Sequence, residues 1–258
     1  MVYGRIALPR SVSIFGVRAD DVTAAEALAW CEQFATEQGR MVVTPNPEIV
    51  MAARREPALR QALARADLAI PDGGGLLLAA QLWGQPLREQ VRGSDLTELL
   101  LARAAARGWR VFLLGGASGV AEDAAAKIQA RWPTISIVGT FAGSADEAHD
   151  AETRAAVAAA GRVDVLLVAY GGSRQERWLA RNLPALDVGV GLGIGGVLDF
   201  LAGRVRRAPL MVRRAHGEWL WRLIVQPWRW RRQLRASRFF PLIVAHAPAA
   251  RRRVESRE

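Results

Sequence analysis

The sequence predicts an α/β fold: a Rossmann-like, largely parallel sheet with helices on both faces, followed by a basic helical appendage. Two observations predict it, an alternation of short apolar runs with helical patterns and a change to arginine-rich sequence near residue 203. Parallel strands need long crossovers, which are usually helices, so this alternation indicates a parallel sheet. The predicted strands are residues 12–17, 40–43, 68–70, 110–114, 135–138, 163–169 and 188–190. The predicted helices of this part are residues 24–37, 57–66, 75–82, 95–107, 120–132 and 175–182.

The composition fits one large domain with an appendage. The 258 residues are 51% hydrophobic, enough to bury a core. Cys31 is the single cysteine and cannot form an intramolecular disulfide, so nothing indicates an oxidising compartment. We find no signal peptide pattern and no window near the ~18–20 apolar residues of a spanning helix. The nearest candidate, residues 239–250, contains two prolines and a histidine. We therefore expect a cytoplasmic protein.

The positive charge belongs to the C-terminal part of the chain. Residues 204–258 hold 15 arginines and 3 glutamates, a net charge of +12, whereas residues 1–203 have a net charge of −2. A basic block of this kind usually meets a phospholipid surface, a nucleic acid or a phosphorylated ligand. We expect an α/β catalytic domain over residues 1–203 and a basic appendage over residues 204–258.

The appendage has two interpretations. Four of the nine tryptophans follow residue 203, and residues 209–225 have the pattern of a helix with apolar residues on one side and arginines elsewhere. Such helices suit a membrane surface, where the rings lie among headgroups and the arginines meet lipid phosphates. The alternative is a helix docked on the core with a solvated arginine face.

Several unusual segments follow predicted strands. Ligands of parallel sheets bind beyond the carboxyl ends of the strands. Glycine-rich segments there allow the backbone to approach a diphosphate or a ribose, although each is weak evidence alone. The segments are residues 44–47, 71–75, 115–116, 171–172 and 191–196.

Asp72 is the candidate catalytic carboxylate. It follows an apolar strand and lies between Pro71 and three glycines. A carboxylate exposed at a strand end can act as a general base that takes a proton from an attacking hydroxyl group. The alternative is a turn or N-cap aspartate before the next helix. Thr44 and Asn46 also follow a strand and could bind sugar hydroxyls; a plain turn that caps the next helix explains them equally well.

The sequence offers no metal site. The three histidines lie far apart, and no Asp-x-Asp motif is present. A diphosphate bound at these strand ends would then be stabilised by arginines and backbone amides.

The ordered set of short motifs resembles the WecG/TagA/CpsF family, glycosyltransferase family 26, from about residue 11 to residue 235. Each motif is too short to identify a family by itself, but the set of motifs in this order is specific for this family. The motifs are Thr44-Pro-Asn-Pro47, Pro71-Asp-Gly-x-Gly75, Arg92-Gly-Ser-Asp95, Phe112-Leu-Leu-Gly-Gly116, Gln175-Glu176, Gly195-Gly-x-x-Asp-Phe-x-Ala-Gly203, Arg207-Ala-Pro209, Glu218-Trp219, Arg222-Leu223 and Pro227-x-Arg229.

The resemblance implies transfer of a sugar from a UDP donor to a polyprenyl-diphosphate-linked saccharide at the inner face of the bacterial membrane. In that family the sugar is N-acetylmannosamine or its acid, or another hexose. It implies no cofactor, no metal and no nucleic acid, and it leaves the oligomeric state open. By the same resemblance Asp72 is the base, and Thr44, Asn46 and Gln175 line the pocket. The implied donor and diphosphate residues are Arg92, Ser94, Asp95, Gly115, Gly116, Glu176, Gly195, Gly196, Arg207, Arg214 and Arg222.

One motif departs from the family. Where the family usually has Gly-x-Pro-Lys-Gln-Glu, this chain has Gly171-Gly-Ser-Arg-Gln-Glu176. Ser173 removes a proline that stiffens the turn, and Arg174 keeps the charge with a different geometry. The departure leaves the identity of the donor sugar more open than the reaction.

Two other functions remain. A nucleotide-cofactor oxidoreductase or epimerase is supported by residues 191–196, but the chain lacks a GxGxxG fingerprint at its first strand–helix turn and a Tyr-x-x-x-Lys pair. A nucleic-acid-binding protein would use the arginines and tryptophans of the appendage.

Overall fold

The computed structural model describes residues 9–209, 211–212, 218–227 and 230–255. It confirms the predicted α/β fold, since six parallel strands form one sheet with helices around it. The strands are β1 (Ser11–Ile14), β2 (Val17–Asp20), β3 (Arg40–Val43), β4 (Leu68–Ala69), β5 (Arg110–Gly115), β6 (Ser136–Phe141), β7 (Val163–Ala169) and β8 (Val188–Gly193). The helices are α1 (Ala24–Ala35), α2 (Pro47–Ala53), α3 (Pro57–Ala64), α4 (Gly74–Leu82), α5 (Gly93–Arg107), α6 (Val120–Arg131), α7 (Asp150–Ala158), α8 (Arg174–Asn182), α9 (Val197–Leu201), α10 (Glu218–Val225), α11 (Trp230–Ser237) and α12 (Phe239–Glu255).

The main sheet has the strand order β4-β3-β8-β7-β5-β6. Alternate residues of β7 enter opposite cores: Leu166 and Val168 belong to one buried cluster, Val165 and Leu167 to the other. Because both faces of the sheet are covered, its central strands are predominantly apolar. Strands β4, β3 and β8 are neighbours, so the segments that follow them meet at one edge of the sheet.

The prediction of one strand over residues 12–17 is wrong. The structure has the hairpin of β1 and β2 there, outside the main sheet, and Ile14 pairs with Val17 across its turn. The turn residues Phe15 and Gly16 have φ values of 51° and 83°. Positive φ at both positions is typical of a two-residue hairpin turn, and Gly16 is the residue that tolerates it most easily.

The glycine segment 191–196 is partly strand rather than loop. Gly191 and Gly193 lie in β8, whose residues are all buried. A Cβ atom on Gly191 would lie 2.7 Å from Cδ2 of Leu179 in α8. The glycines therefore allow α8 to pack directly on the strand, which removes the main support for a nucleotide-cofactor enzyme.

In the α/β part, helices α2, α7 and α9 were not predicted. Helix α2 begins inside the segment that we interpreted as a strand-end loop. Its N-cap is Asn46, whose side chain accepts a hydrogen bond from the backbone of Ile49, and Pro47 is its first residue. An asparagine N-cap followed by proline is a common start of helices, so the start of α2 could have been predicted from the sequence.

Helix α12 docks on the core. Phe239 and Ile243 are fully buried. The indole nitrogen of Trp83 in α4 donates a 3.0 Å hydrogen bond to the carbonyl oxygen of Ile243. The ring of Phe239 meets that of Phe15 edge-on at 6.1 Å between centroids. This part of the appendage therefore fits the docked-helix interpretation.

Other parts of the appendage expose apolar side chains. Of the helix predicted for residues 209–225, Glu218–Val225 is helical, and residues 213–217 lie outside the described part of the chain. Among the described residues, every exposed large apolar side chain apart from Leu78 and Leu99 lies after residue 203. No helix in the described ranges is long and apolar enough to cross a membrane.

Candidate active site

The Asp72 loop runs beside the segment that follows β3. The backbone N–H of Ile70 donates to the carbonyl oxygen of Val43 at 2.8 Å, and that of Asp72 donates to Pro45 at 2.9 Å. The two segments therefore continue the pairing of β4 with β3 beyond the ends of both strands. This pairing holds Asp72 and Thr44 at the same edge of the sheet.

Asp72 and Thr44 converge at the start of α5. A Cβ atom placed on Gly93, the first residue of that helix, would lie 3.4 Å from the Thr44 hydroxyl oxygen and 3.5 Å from Asp72 Oδ2. The two polar atoms thus surround a single point. Glycine at this position lets both side chains approach the start of α5 closely, whereas a Cβ atom would lie only 3.3 Å from Thr44 Cγ2.

Gln175 approaches the same edge from α8. Its Oε1 accepts a 2.9 Å hydrogen bond from the backbone N–H of Gly195, just beyond β8. A Cβ atom on Gly193 would lie 2.7 Å from Gln175 Nε2, so glycine is needed for this close approach. The carbonyl oxygen of Gly193 also lies 3.5 Å from the Thr44 hydroxyl, a long hydrogen bond. The structure therefore brings Asp72, Thr44 and Gln175 together across β4, β3 and β8.

Asn46 has a structural contact. Its Oδ1 accepts a 3.0 Å hydrogen bond from the backbone N–H of Ile49, as an N-cap residue does. This confirms the helix-capping interpretation for the side-chain oxygen. The side-chain amide nitrogen of Asn46 is the part that a ligand could contact.

The region where Asp72, Thr44 and Gln175 meet is called the pocket, and Glu176 follows Gln175 in α8. Its side chain is completely buried, with an exposed fraction of 0%. Burial raises the pKa of Glu176 to about 7 from its ordinary value of 4.5, and the hydrogen bond from Gln175 opposes this shift. A buried carboxyl group is poorly suited to touch a diphosphate, so we consider a different role for Glu176 below.

Arg207 ties the start of the appendage to α5. Its guanidinium donates to Ser94 Oγ at 2.6 Å and to Glu98 Oε1 at 2.8 Å, and it forms an ion pair with Asp95. Arg92 lies 3.7 Å from the same Asp95 carboxylate. Predicted donor residues from two distant motifs therefore meet. Sequence reasoning missed Glu98, although it lies one helical turn after Ser94 and so shares its face.

Arg207 also lines a cleft of about 220 Å³ between α5, α6 and α9. Cationic side chains dominate its polar lining. They are Lys127, Arg131 and Arg207, accompanied by Ser94 and Glu98. Lys127, the single lysine of the chain, was not among the predicted site residues.

A second cleft, of about 250 Å³, lies between α2 and the residues that precede Gln175. Both residues that depart from the family motif line it. Ser173 Oγ donates to Glu56 Oε2 at 3.0 Å, and Arg174 donates to the carbonyl oxygen of Tyr170 at 2.7 Å. Glu48 and Arg55 complete its charged lining.

The other predicted donor residues are only partly explained. Gly115 has a φ of +103°, and a Cβ atom there would lie 2.7 Å from the carbonyl carbon of Ala169, so packing alone requires glycine. Gly116 donates to Ala169 through its backbone N–H, and Gly196 precedes α9. Arg214 and the side chain of Arg222 lie outside the described part of the structure. In the described ranges, no three His, Cys, Asp or Glu side chains cluster as metal ligands.

Fold and site together define a Rossmann-like α/β protein with its polar groups gathered at the carboxyl edge of a parallel sheet. Residues 12–253 match the model of the glycosyl transferase WecG/TagA/CpsF family, and the chain belongs to this family of glycosyltransferases.

Three similar proteins illustrate the relationship. The chain is 32% identical over 213 residues, 83% of its length and 82% of the relative's, to the N-acetylglucosaminyldiphosphoundecaprenol N-acetyl-beta-D-mannosaminyltransferase of Bacillus spizizenii. Proteins of the same name from Bacillus subtilis and Staphylococcus aureus (strain NCTC 8325) are 31% and 29% identical. They match 78% and 95% of this chain and 77% and 94% of their own lengths.

Proposed function

We propose that this protein is an inverting glycosyltransferase of cell-surface polysaccharide biosynthesis. It transfers a hexose or an N-acetylhexosamine of the N-acetylmannosamine type from a UDP-sugar to a polyprenyl-diphosphate-linked saccharide. The observation that carries the proposal is the convergence of Asp72 and Thr44 on one point at the start of α5. The names of the similar proteins support the acceptor class and the type of sugar.

Asp72 is the proposed general base. Its carboxylate takes the proton of the acceptor hydroxyl as that oxygen attacks the anomeric carbon. The bond from the anomeric carbon to the diphosphate breaks, and UDP leaves with the electron pair. The names of the similar proteins specify a β-linked product. A β-linked product from an α-linked UDP-sugar requires inversion, so one base is enough.

The remaining polar groups of the edge bind the donor. Thr44, Gln175 and the amide nitrogen of Asn46 are the proposed partners of sugar hydroxyls. Arg92 and Arg207, with the backbone amide of Gly196, are the proposed stabilisers of the diphosphate, since charge-assisted hydrogen bonds are strong. The backbone N–H of Gly195 already donates to Gln175. Asp95 holds the two guanidinium groups in place. Gly115 and Gly116 let the backbone after β5 approach the nucleotide.

Donor identity is tested with purified full-length protein, a panel of UDP-sugars and an N-acetylglucosaminyl-diphosphoryl-lipid acceptor. We expect transfer from UDP-N-acetylmannosamine or a related UDP-hexose, with a β-linkage by NMR. Absence of transfer from every UDP-sugar, or an α-linked product from an α-linked donor, would contradict the proposal.

The reaction needs no metal ion in this proposal, since arginines and backbone amides take the charge of the leaving diphosphate. We expect the transfer rate to be unchanged by excess EDTA, measured in the same assay. Loss of activity that magnesium or manganese restores would contradict this.

The appendage is the proposed attachment to the anionic inner face of the bacterial membrane. Its net charge of +12 attracts anionic lipids. Exposed apolar side chains such as Ile224 and Val244, which are 67% and 61% exposed, can enter the headgroup region. A peripheral position of this kind brings the pocket to a lipid-linked acceptor.

A further inference from the structure

Glu176 is a buried carboxyl group that the proposed mechanism does not use. Its side chain has no exposed surface, although glutamates are rarely buried without a partner. Oε1 accepts a 3.0 Å hydrogen bond from Gln175 Nε2. Within the described residues, Oε2 has no hydrogen-bond partner. Burying a carboxyl group in this way costs free energy, and the side-chain bond to Gln175 offsets part of that cost.

The bond fixes one of two orientations of the Gln175 amide. A glutamine amide can rotate by 180° and exchange its oxygen and nitrogen with little change of shape. Here Oε1 accepts from the backbone N–H of Gly195, while Nε2 donates to Glu176. After rotation Nε2 would face the Gly195 N–H, donor against donor. Glu176 and Gly195 together therefore hold the amide in a single orientation.

This orientation matters at the pocket. Gln175 Nε2 lies against Gly193, where a Cβ atom would be 2.7 Å away, and the Gly193 carbonyl oxygen faces the Thr44 hydroxyl. We propose that Glu176 is a positioning residue that fixes the Gln175 amide in the orientation that Gln175 needs for contact with the donor sugar. The catalytic consequence rests on the proposed function; the positioning of the amide does not.

The surroundings favour the protonated form of Glu176. Burial is the largest cause of its raised pKa of about 7, and Glu48 of α2 raises the pKa further. The hydrogen bond from Gln175, a hydrogen bond from the backbone of Glu176 itself, and the charge of Arg177 lower it. Glu56 accepts a hydrogen bond from Ser173 just before the start of α8. Three other charged groups contact the far end of that helix: Arg65 bonds to Ala180, Asp150 to Arg181 and Arg154 to Asn182.

The first test is a double-mutant comparison in the transfer assay. Glu176→Leu removes the acceptor and keeps much of the volume, and we expect it to lower kcat/KM about tenfold, the effect of one buried hydrogen bond. In a Gln175→Leu background the same change should have no further effect. Glu176→Gln retains an acceptor oxygen and should restore activity. Glu152→Gln, at an exposed site in α7, is the control that should match the wild type.

A tenfold loss from Glu176→Leu in both backgrounds, or a Glu176→Gln variant as impaired as Glu176→Leu, would overturn the proposal. Circular dichroism first establishes that each variant is folded. Glu176→Ala replaces Glu176→Leu if the latter does not fold.

The second test needs no substrate. The Gly195 N–H donates to Gln175 Oε1, so its exchange with deuterium is slowed, which NMR of protein labelled with ¹⁵N-glycine measures. We expect faster Gly195 exchange in Glu176→Leu and in Gln175→Leu, and wild-type exchange in Glu176→Gln. Unchanged Gly195 exchange in Glu176→Leu would refute the positioning role. If the wild type transferred no sugar, the proposed function would fail and this measurement would still decide the role of Glu176.

Discussion

At the scale of single residues, two acidic side chains near the pocket differ because of their surroundings. Asp72 follows a strand end and is only half-buried, and its carboxylate lies beside Gly93 at the start of α5. Glu176 is enclosed in the core and has a raised pKa. The first environment suits a base that must meet an acceptor, and the second suits a group that holds another side chain.

Asp72→Asn tests the proposed base. The amide keeps the shape of the side chain and cannot take a proton at neutral pH. Because general-base catalysis contributes about 10²–10⁴-fold, we expect kcat to fall by that factor while UDP affinity, measured by calorimetry, stays unchanged. Asp146→Asn, at an exposed position, is the control. Wild-type turnover by Asp72→Asn at saturating acceptor would remove Asp72 from the mechanism.

The raised pKa of Glu176 predicts a pH effect on stability. Between pH 4.5 and about 7 the unfolded chain loses this proton while the folded protein keeps it, so the contribution of Glu176 to stability falls as pH rises. The full fall is about 3 kcal/mol, and it levels off above the folded pKa. Urea denaturation at pH 5 to 8 should therefore show Glu176→Gln gaining stability relative to the wild type as pH rises. A constant difference would contradict a raised pKa.

At the scale of elements, the site depends on where helices begin. Helix α5 starts at Gly93 beside Thr44 and Asp72, and α2 starts at Asn46 with a side-chain cap. Helix α8 starts next to Gln175, which reaches Gly195 beyond β8. The pocket is thus formed by the first residues of three helices around the ends of neighbouring strands, as expected for parallel sheets.

Asn46 variants separate the cap from the ligand contact. Asn46→Asp keeps an oxygen for the Ile49 N–H, so we expect thermal stability to be retained, whereas Asn46→Ala should lose about 1 kcal/mol. If the amide nitrogen contacts the sugar, both variants lose transfer activity. Thermal melts and the transfer assay measure the two effects. Full activity of Asn46→Asp would limit Asn46 to its capping role.

At the scale of the whole molecule, the appendage packs against the α/β domain and also exposes residues to solvent. Phe239 and Ile243 are buried with the core of the α/β domain, and Arg207 bonds to Ser94 and Glu98. Deleting everything after Gly203 would remove these contacts and expose core residues such as Trp83. Surface substitutions are therefore the cleaner test of membrane binding.

The wild type should bind liposomes that contain phosphatidylglycerol, with weaker binding at higher salt, since each arginine near the surface contributes about 1 kcal/mol. The double variant Leu220→Ser/Leu234→Ser removes two leucines that are 47% and 59% exposed, and we expect about tenfold weaker sedimentation with the liposomes. The matched control, Leu78→Ser/Leu99→Ser, changes leucines that are 41% and 42% exposed outside the appendage. Equal binding of the two double variants would argue against apolar insertion.

The sequence by itself determined the fold class, most of the strands and the family. Strands β3 and β7 have the predicted bounds. A strand that is covered on both faces of a sheet consists mainly of apolar residues, so its position can be recognised from the sequence of that segment alone. The ordered motifs also named Asp72, Thr44 and Gln175 before their distances were known. Each of these inferences rests on information that is local in the chain.

Only the tertiary structure decided which of these residues meet and through what contacts. The glycines of β8 serve the approach of α8, Glu98 joins Arg207 across more than one hundred residues of sequence, and Glu176 holds Gln175 in one orientation. The contact of α12 with Trp83 could not be predicted from the sequence either. Such contacts depend on how separate elements approach one another. The periodicity of a single segment predicts its own secondary structure, but it does not identify the element against which that segment packs.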